Sequence, residues 1–139
     1  MRTRKPGRLA RWFCLTIIGL CGGMIGCSGV PWESSYDSAM RTAATERKRV
    51  LLVFMSATDG DSIEMEREVF SDEAIQDLMG RYAPVRLDPF LHRDMARELN
   101  VQRLPAFFVV RADGQLVGGA QGKMDLDRFQ VFLIRHMYN

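Results

Sequence analysis

Cysteine is scarce in this chain of 139 residues: it occurs only at positions 14, 21 and 27. From residue 28 onward there is no thiol, which excludes an internal disulfide and any reaction that needs a thiolate. A basic excess is missing from the same region. The formal charge of +2 comes from Arg2, Arg4, Lys5, Arg8 and Arg11, and residues 28–139 hold 14 basic against 17 acidic side chains, a net of −3. A phosphate-binding domain keeps its cations, so nucleic acid is set aside as a partner. Histidine is limited to His92 and His136, which leaves few imidazoles for metal ligation or base catalysis. The apolar segment from Trp12 to Ile25 is broken by small residues and is too short and glycine-rich for a good spanning helix, which needs about 20 apolar residues. Repeats and low-complexity tracts are absent too. What is present, 47% apolar and 26% charged residues, is the composition of one globular domain.

The N-terminus has the three parts of an export signal: a basic segment to Arg11, the apolar segment, and a small residue before a cysteine. The ending "MIGC", Met24 to Cys27, resembles the lipobox of bacterial lipoproteins, with Met24 where leucine is usual. The resemblance implies that residues 1–26 are removed as a signal peptide, that Cys27 is lipidated, and that residues 27–35 tether a domain spanning 36–139. An uncleaved membrane anchor is the alternative. Either way the domain is expected outside the cytoplasmic membrane, attached to the cell envelope and facing the periplasm or the exterior. Ser28 resembles the outer-membrane form of the sorting rule.

Gly29 to Ser35 lacks periodicity and reads as the tether. Tyr36 to Lys48 has helical spacing and ends on "RKR", cations that suit a helix C-terminus. This basic end is solvated and could touch anionic lipid if the tether is short. Val50 to Met55 is apolar on both faces, as in a central strand covered on two sides. Asp61 with Glu64 predicts the next helix start, and Ser71 with Asp72 and Glu73 a further one leading into Ala74 to Tyr82. Ala83 to Pro89 reads as a second strand. Leu91, Met95 and Leu99 form one stripe of a short helix. Ala106 to Val110 and Gln115 to Gly119 flank Asp113-Gly114 as a hairpin, and Asp125 caps a final amphipathic helix. Phe54, Phe107 and Phe108 are expected in the core.

This element order resembles the thioredoxin-like family over residues 36 to 138, as do three strings. "VLLVFMSATDGDSIEMEREVFSD" resembles the family's strand, active-site loop and helix, and its tail, Met65 to Asp72, is similar to the C-terminal domain of the periplasmic thiol:disulfide interchange reductase. "MARELNVQRLPAFFV" resembles the approach to the family's cis-proline, here Pro105. "DGQLVGGAQG" is similar to the hairpin that follows, with Gly122 in the place of the usual glycine. The resemblance implies an α/β three-layer sandwich with a mixed central sheet flanked by helices. It places the family's Cys-x-x-Cys on Asp59, Gly60, Asp61 and Ser62, its preceding tryptophan on Thr58 and its buried acid on Val53. Both cysteines are replaced. Thiol-disulfide exchange needs one attacking and one resolving sulfur, so none is expected here.

The replacement residues admit other chemistries. Asp59, Asp61, Glu64, Glu66 and Glu68 are carboxylates at a loop-to-helix junction. "DGDS" looks like the start of a calcium loop, but Ile63 stands where a ligand should and Glu64 where glycine must turn the chain, so no metal is expected. Acids in a first helical turn also favour the positive end of the helix dipole. Ser62 could act as a nucleophile only with a base in reach, or could polarise a bound thiol in a glutathione-type site; a helix-start hydroxyl is its simplest role. In the family, the cis-proline loop and the active-site loop form a groove where a partner's extended backbone pairs with the residue before the proline, here Leu104. That needs only backbone groups and apolar surface. The alternative for Pro105 is that it merely opens an ordered strand. The expectation is an exported, membrane-tethered domain without redox cysteines or cofactor that binds an envelope protein or peptide through Leu104, Pro105 and the loop Thr58 to Ser62. The alternatives are an enzyme of another class on this scaffold, glutathione-dependent or metal-assisted through Asp59 and Asp61, and a purely structural envelope protein.

Overall fold

A computed structural model describes residues 29–137. Cys27 and the signal-like segment 1–26 lie outside the described residues. The elements are α1 (Tyr36–Glu46), β1 (Val50–Phe54), α2 (Gly60–Glu68), α3 (Glu73–Met79), β2 (Ala83–Leu87), α4 (Arg93–Glu98), β3 (Ala106–Val110), β4 (Leu116–Gln121) and α5 (Leu126–Met137). The sheet order is β2-β1-β3-β4, with β2 parallel and β3 antiparallel to β1. This is the expected mixed sheet flanked by helices.

The unbroken apolar run of β1 is explained by its central place. Leu51 and Val53, with Met55 just beyond, face one half of the core beside Met65, Ile75, Met79, Phe129 and Leu133 from α2, α3 and α5. Val50, Leu52 and Phe54 face the other half, closed by Ala39 and Ala43 of α1 and Ala96 of α4. Alternate residues of one strand thus serve two layers. Phe107 and Phe129 pack with ring centroids 4.9 Å apart, while Phe54 meets Phe108 edge-on at 6.1 Å, so all three expected core phenylalanines are buried.

Four boundaries differ from the sequence reading. Helix α2 is capped by Asp59 rather than Asp61, because a start at Asp59 turns Ser62 and Met65 inward. Helix α3 is capped by Asp72, whose carboxylate accepts the Ile75 amide at 3.0 Å; the Ser71 hydroxyl instead donates back to the Arg67 carbonyl. Helix α4 begins only at Arg93, since the Asp88 carboxylate holds the Phe90 amide at 2.7 Å and keeps this stretch in a turn. Leu91 is therefore 82% exposed and not part of the Met95 and Leu99 stripe. The described part of the expected tether, residues 29–35, packs on the domain: Val30 and Trp32 lie on the core, and Glu33 bridges to Val85 at the edge of β2. Apolar burial and one backbone pairing attach this segment to the domain before α1 begins. Among the described residues no helix is long and apolar enough to cross a membrane.

Candidate functional site

The site is assembled where β1 ends. Phe54, its last residue, pairs with Leu87 on one side and Ala106 on the other. The loop Met55 to Asp59 therefore emerges between the end of β2 and the start of β3. On the β3 side stands the cis Leu104-Pro105 peptide. On the β2 side stands the turn from Asp88 to His92.

Within the loop, Asp59 and Ser62 are joined directly. The Asp59 carboxylate accepts the Ser62 amide at 2.8 Å, as an N-cap does, and the same oxygen accepts the Ser62 hydroxyl at 2.7 Å. Ser62 is 1% exposed, so its hydroxyl is committed to this acceptor and shielded from solvent. The positions to which the resemblance assigns the two cysteines are thus tied by a charge-assisted hydrogen bond. Ser56, also buried, shares its hydroxyl with the Thr58 hydroxyl at 3.0 Å and takes the Thr58 amide at 3.3 Å. Gly60 and Asp61 are exposed in the first turn of α2. Val53, where the family's buried acid would stand, is fully buried among apolar side chains.

Pro105 is buried and its carbonyl accepts the Gly122 amide at 2.8 Å, which fixes the proline against the β4 end. Gly122 has φ +94°, a conformation that favours glycine. Leu104 is half-buried, and among the described residues its backbone groups make no hydrogen bond.

A cleft of about 690 Å³ opens on the β2 side of the loop. Met55, Ala57, Ile63 and Leu91 give it apolar walls; Ser56, Ser62, Asp88 and His92 add polar groups, and Glu66, Arg67 and Arg86 also line it. Leu104 and Pro105 are not among its lining, so the groove expected beside the proline and this cleft lie on opposite flanks of one loop. Ile63, Phe90 and Leu91 are 50%, 66% and 82% exposed, an apolar surface at the cleft's side that a solvated domain has no internal use for. Sequence reading missed this cleft together with Ser56 and Arg86. The exposed "PFLH" directly after a strand was the available signal.

The three glutamates of α2 are engaged in ion pairs. Glu64 meets Lys123 at 2.8 Å, Glu66 meets Arg86 at 2.7 Å and Glu68 meets Arg67 at 3.0 Å. The Lys123 ammonium hydrogen-bonds Glu64 and holds its carboxyl below the usual range, and the same bond raises Lys123. Arg86 also lies over the Trp32 ring, 4.6 Å from its centroid. Among the described residues no three His, Cys, Asp or Glu side chains are grouped so as to hold a metal ion. His92 lines the same cleft as Ser62, yet its Nδ1 lies 3.1 Å from the Asp88 carbonyl, and no serine-histidine hydrogen bond is made.

Comparison with known proteins agrees with this geometry. A solution structure of a thioredoxin from Thermus thermophilus has a TM-score of 0.69 at 22% identity, covering 77% of this chain and 86% of that one. The DsbH oxidoreductase gives 0.67 at 14% identity, with 83% and 89% covered. The reduced C-terminal domain of Neisseria meningitidis DsbD gives 0.62 at 23%, with 72% and 92% covered. At such identities these likenesses establish the fold alone. No protein of curated function matches. The model of the thioredoxin-like domain, however, matches residues 36–135, most of the chain, and the chain therefore belongs to the thioredoxin-like domain family.

Proposed function

We propose that this chain is an exported domain, held to the cell envelope through lipid on Cys27, that keeps the thioredoxin-like scaffold, has lost its redox cysteines and binds a protein or peptide. The observation that carries the reading is the Asp59–Ser62 hydrogen bond beside a cis-proline whose preceding backbone is unpaired. A carboxylate and a hydroxyl can hold a loop in shape, but they cannot attack or form a disulfide. What remains usable is recognition. The free Leu104 backbone suits pairing with an extended segment, and the cleft with its apolar side, Ile63, Phe90 and Leu91, suits a bulky side chain of the same partner.

A photo-crosslinking residue at Thr58, exposed in the loop, tests this in cells, with a control at Arg128 on the exposed face of α5. A discrete envelope protein captured from Thr58 and not from Arg128 supports the reading. Identical adducts from both positions, or none from Thr58, would overturn it.

The second reading, an enzyme of another class, draws on one observation: Ser62 and His92 line a common cleft. Against it, the Ser62 hydroxyl is donated to Asp59 and is buried, which leaves it no proton to offer a thiol or carbonyl. Calorimetry with glutathione, zinc and calcium separates the two; binding heat that disappears in His92→Ala would favour the enzyme.

A further inference from the structure

We propose that the pole opposite the site is a docking surface for anionic phospholipid headgroups, which turns the Asp59 loop away from the membrane. Arg47, Lys48, Arg49 and Arg81 converge there and, with Tyr82 and Met137, line a hollow of about 460 Å³. The position follows from the sheet. β1 begins at Val50 and its parallel partner β2 at Ala83, and the Ala83 amide donates to the Arg49 carbonyl at 2.8 Å. The site lies beyond the other end of β1, about 17 Å away at the rise of an extended strand.

Local duties account for only part of this charge. The Arg49 guanidinium donates to the His136 carbonyl at 2.6 Å and so caps the end of α5. Lys48 pairs with Glu46 at 2.6 Å. Arg47 and Arg81 are exposed, and beyond their backbone amides, which donate to the Ala43 and Leu78 carbonyls, their guanidinium groups make no hydrogen bond or ion pair among the described residues. Against these four cations stand the carboxylates of Glu46, paired with Lys48, and Glu33, which Lys48 also reaches, leaving a local excess of two within residues 28–139 whose net charge is −3. The cations are therefore segregated rather than scattered.

The choice of a lipid surface over a soluble anion rests on where the chain enters. Pro31 lies against Gly80, within 3.8 Å of where a Cβ there would stand, and Gly80 precedes Arg81. Cys27 is four residues before Pro31, a reach of about 14 Å at full extension. A chain lipidated at Cys27 brings Arg81 and Arg47 near the headgroups, where the field of an anionic leaflet acts within a Debye length of about 8–10 Å. The proposal rests on the Cys27 anchoring proposed above.

The test uses the acylated protein purified from cells and placed on vesicles of phosphatidylcholine, with or without phosphatidylglycerol. A fluorophore sits at Thr45, one half-turn before Arg47, or at Thr58 at the far pole, and energy transfer to a headgroup dye is read. With phosphatidylglycerol, Thr45 should transfer strongly and Thr58 weakly. The contrast should collapse in pure phosphatidylcholine, at high salt, and in Arg47→Asn with Arg81→Gln. Asparagine tolerates the left-handed backbone at position 47, where φ is +56°. These two changes should weaken attachment to phosphatidylglycerol by about 30-fold in the unacylated Cys27→Ser chain, at the strength usual for two juxtamembrane cations. Equal transfer from both labels, or a contrast indifferent to lipid charge, overturns the proposal. So does a response of Arg81 to inorganic phosphate alone with none to phosphatidylglycerol, which would assign the hollow to a soluble anion. If the protein from cells carries no lipid and leaves both vesicle types equally, the anchoring reading has failed instead.

Discussion

Replacing Asp59 separates its two roles, since one carboxylate oxygen accepts both the Ser62 amide and the buried Ser62 hydroxyl. Asp59→Ala removes an N-cap, worth about 1 kcal/mol in comparable helices. It also leaves the hydroxyl of a residue only 1% exposed without its acceptor, which costs about 1–3 kcal/mol. The sum expected is about 2–4 kcal/mol. Ser62→Ala removes the donor and leaves the cap, so about 1 kcal/mol is expected. The double variant has no stranded hydroxyl and should cost less than the two singles together by about 1 kcal/mol or more, a coupling of the size found for residues in direct contact. Urea denaturation of the four proteins measures this, with Asp59→Ala lowering the midpoint by about 1 M or more at the slopes usual for small domains. Asp61→Ala is the control, because Asp61 is exposed in the same helical turn and should lose only about 0.3–1 kcal/mol of dipole interaction. Additive singles, or an Asp59→Ala no worse than Asp61→Ala, would refute the account of the loop.

Two further consequences concern the ion pairs around α2. Because the Lys123 ammonium holds the Glu64 carboxyl down, Lys123→Met should raise Glu64 toward the ordinary carboxylate range, measured by carboxyl-carbon NMR titration. The sign fixes the pH window: the pair's contribution is complete above the ordinary carboxylate value, fades as acid protonates Glu64, and is lost again at alkaline pH once the raised Lys123 deprotonates. Arg86 joins Trp32 to Glu66 at the edge of the cleft, so Arg86→Met should shift the fluorescence of Trp32, read in a Trp12→Phe background, without unfolding the domain. An unchanged emission spectrum would show that the cation does not rest on the ring in solution.

The strands were legible because their signal is local: Val50 to Phe54 is apolar at every position, and only a strand covered on both faces buries all five. Helix starts were less so. Asp59 with Ser62 and Asp61 with Glu64 are equally good local pairs, and what decides between them is the inward face, Ser62 and Met65, which exists only once the sheet is present. Leu91 misled for a related reason, since its spacing with Met95 is helical but the Asp88 side chain holds the intervening turn open. The cleft and the basic hollow were illegible as sites because each joins segments far apart in the chain, Met55 to His92 in one and Arg47 to Met137 in the other. The placement of Asp59 and Ser62 at the start of α2 and of a cis-proline at Pro105 was readable from the family resemblance, but the bond between Asp59 and Ser62 was not.

The central claim is that the scaffold persists while its thiol chemistry is gone, and reduction of insulin disulfides by dithiothreitol-recycled protein addresses both halves. The chain with Cys27 replaced by serine should be indistinguishable from buffer. Asp59→Cys with Ser62→Cys, folded and fully reduced, should exceed it. Turnover by the Cys27→Ser chain, or a folded double variant with free thiols and no activity, would contradict the account.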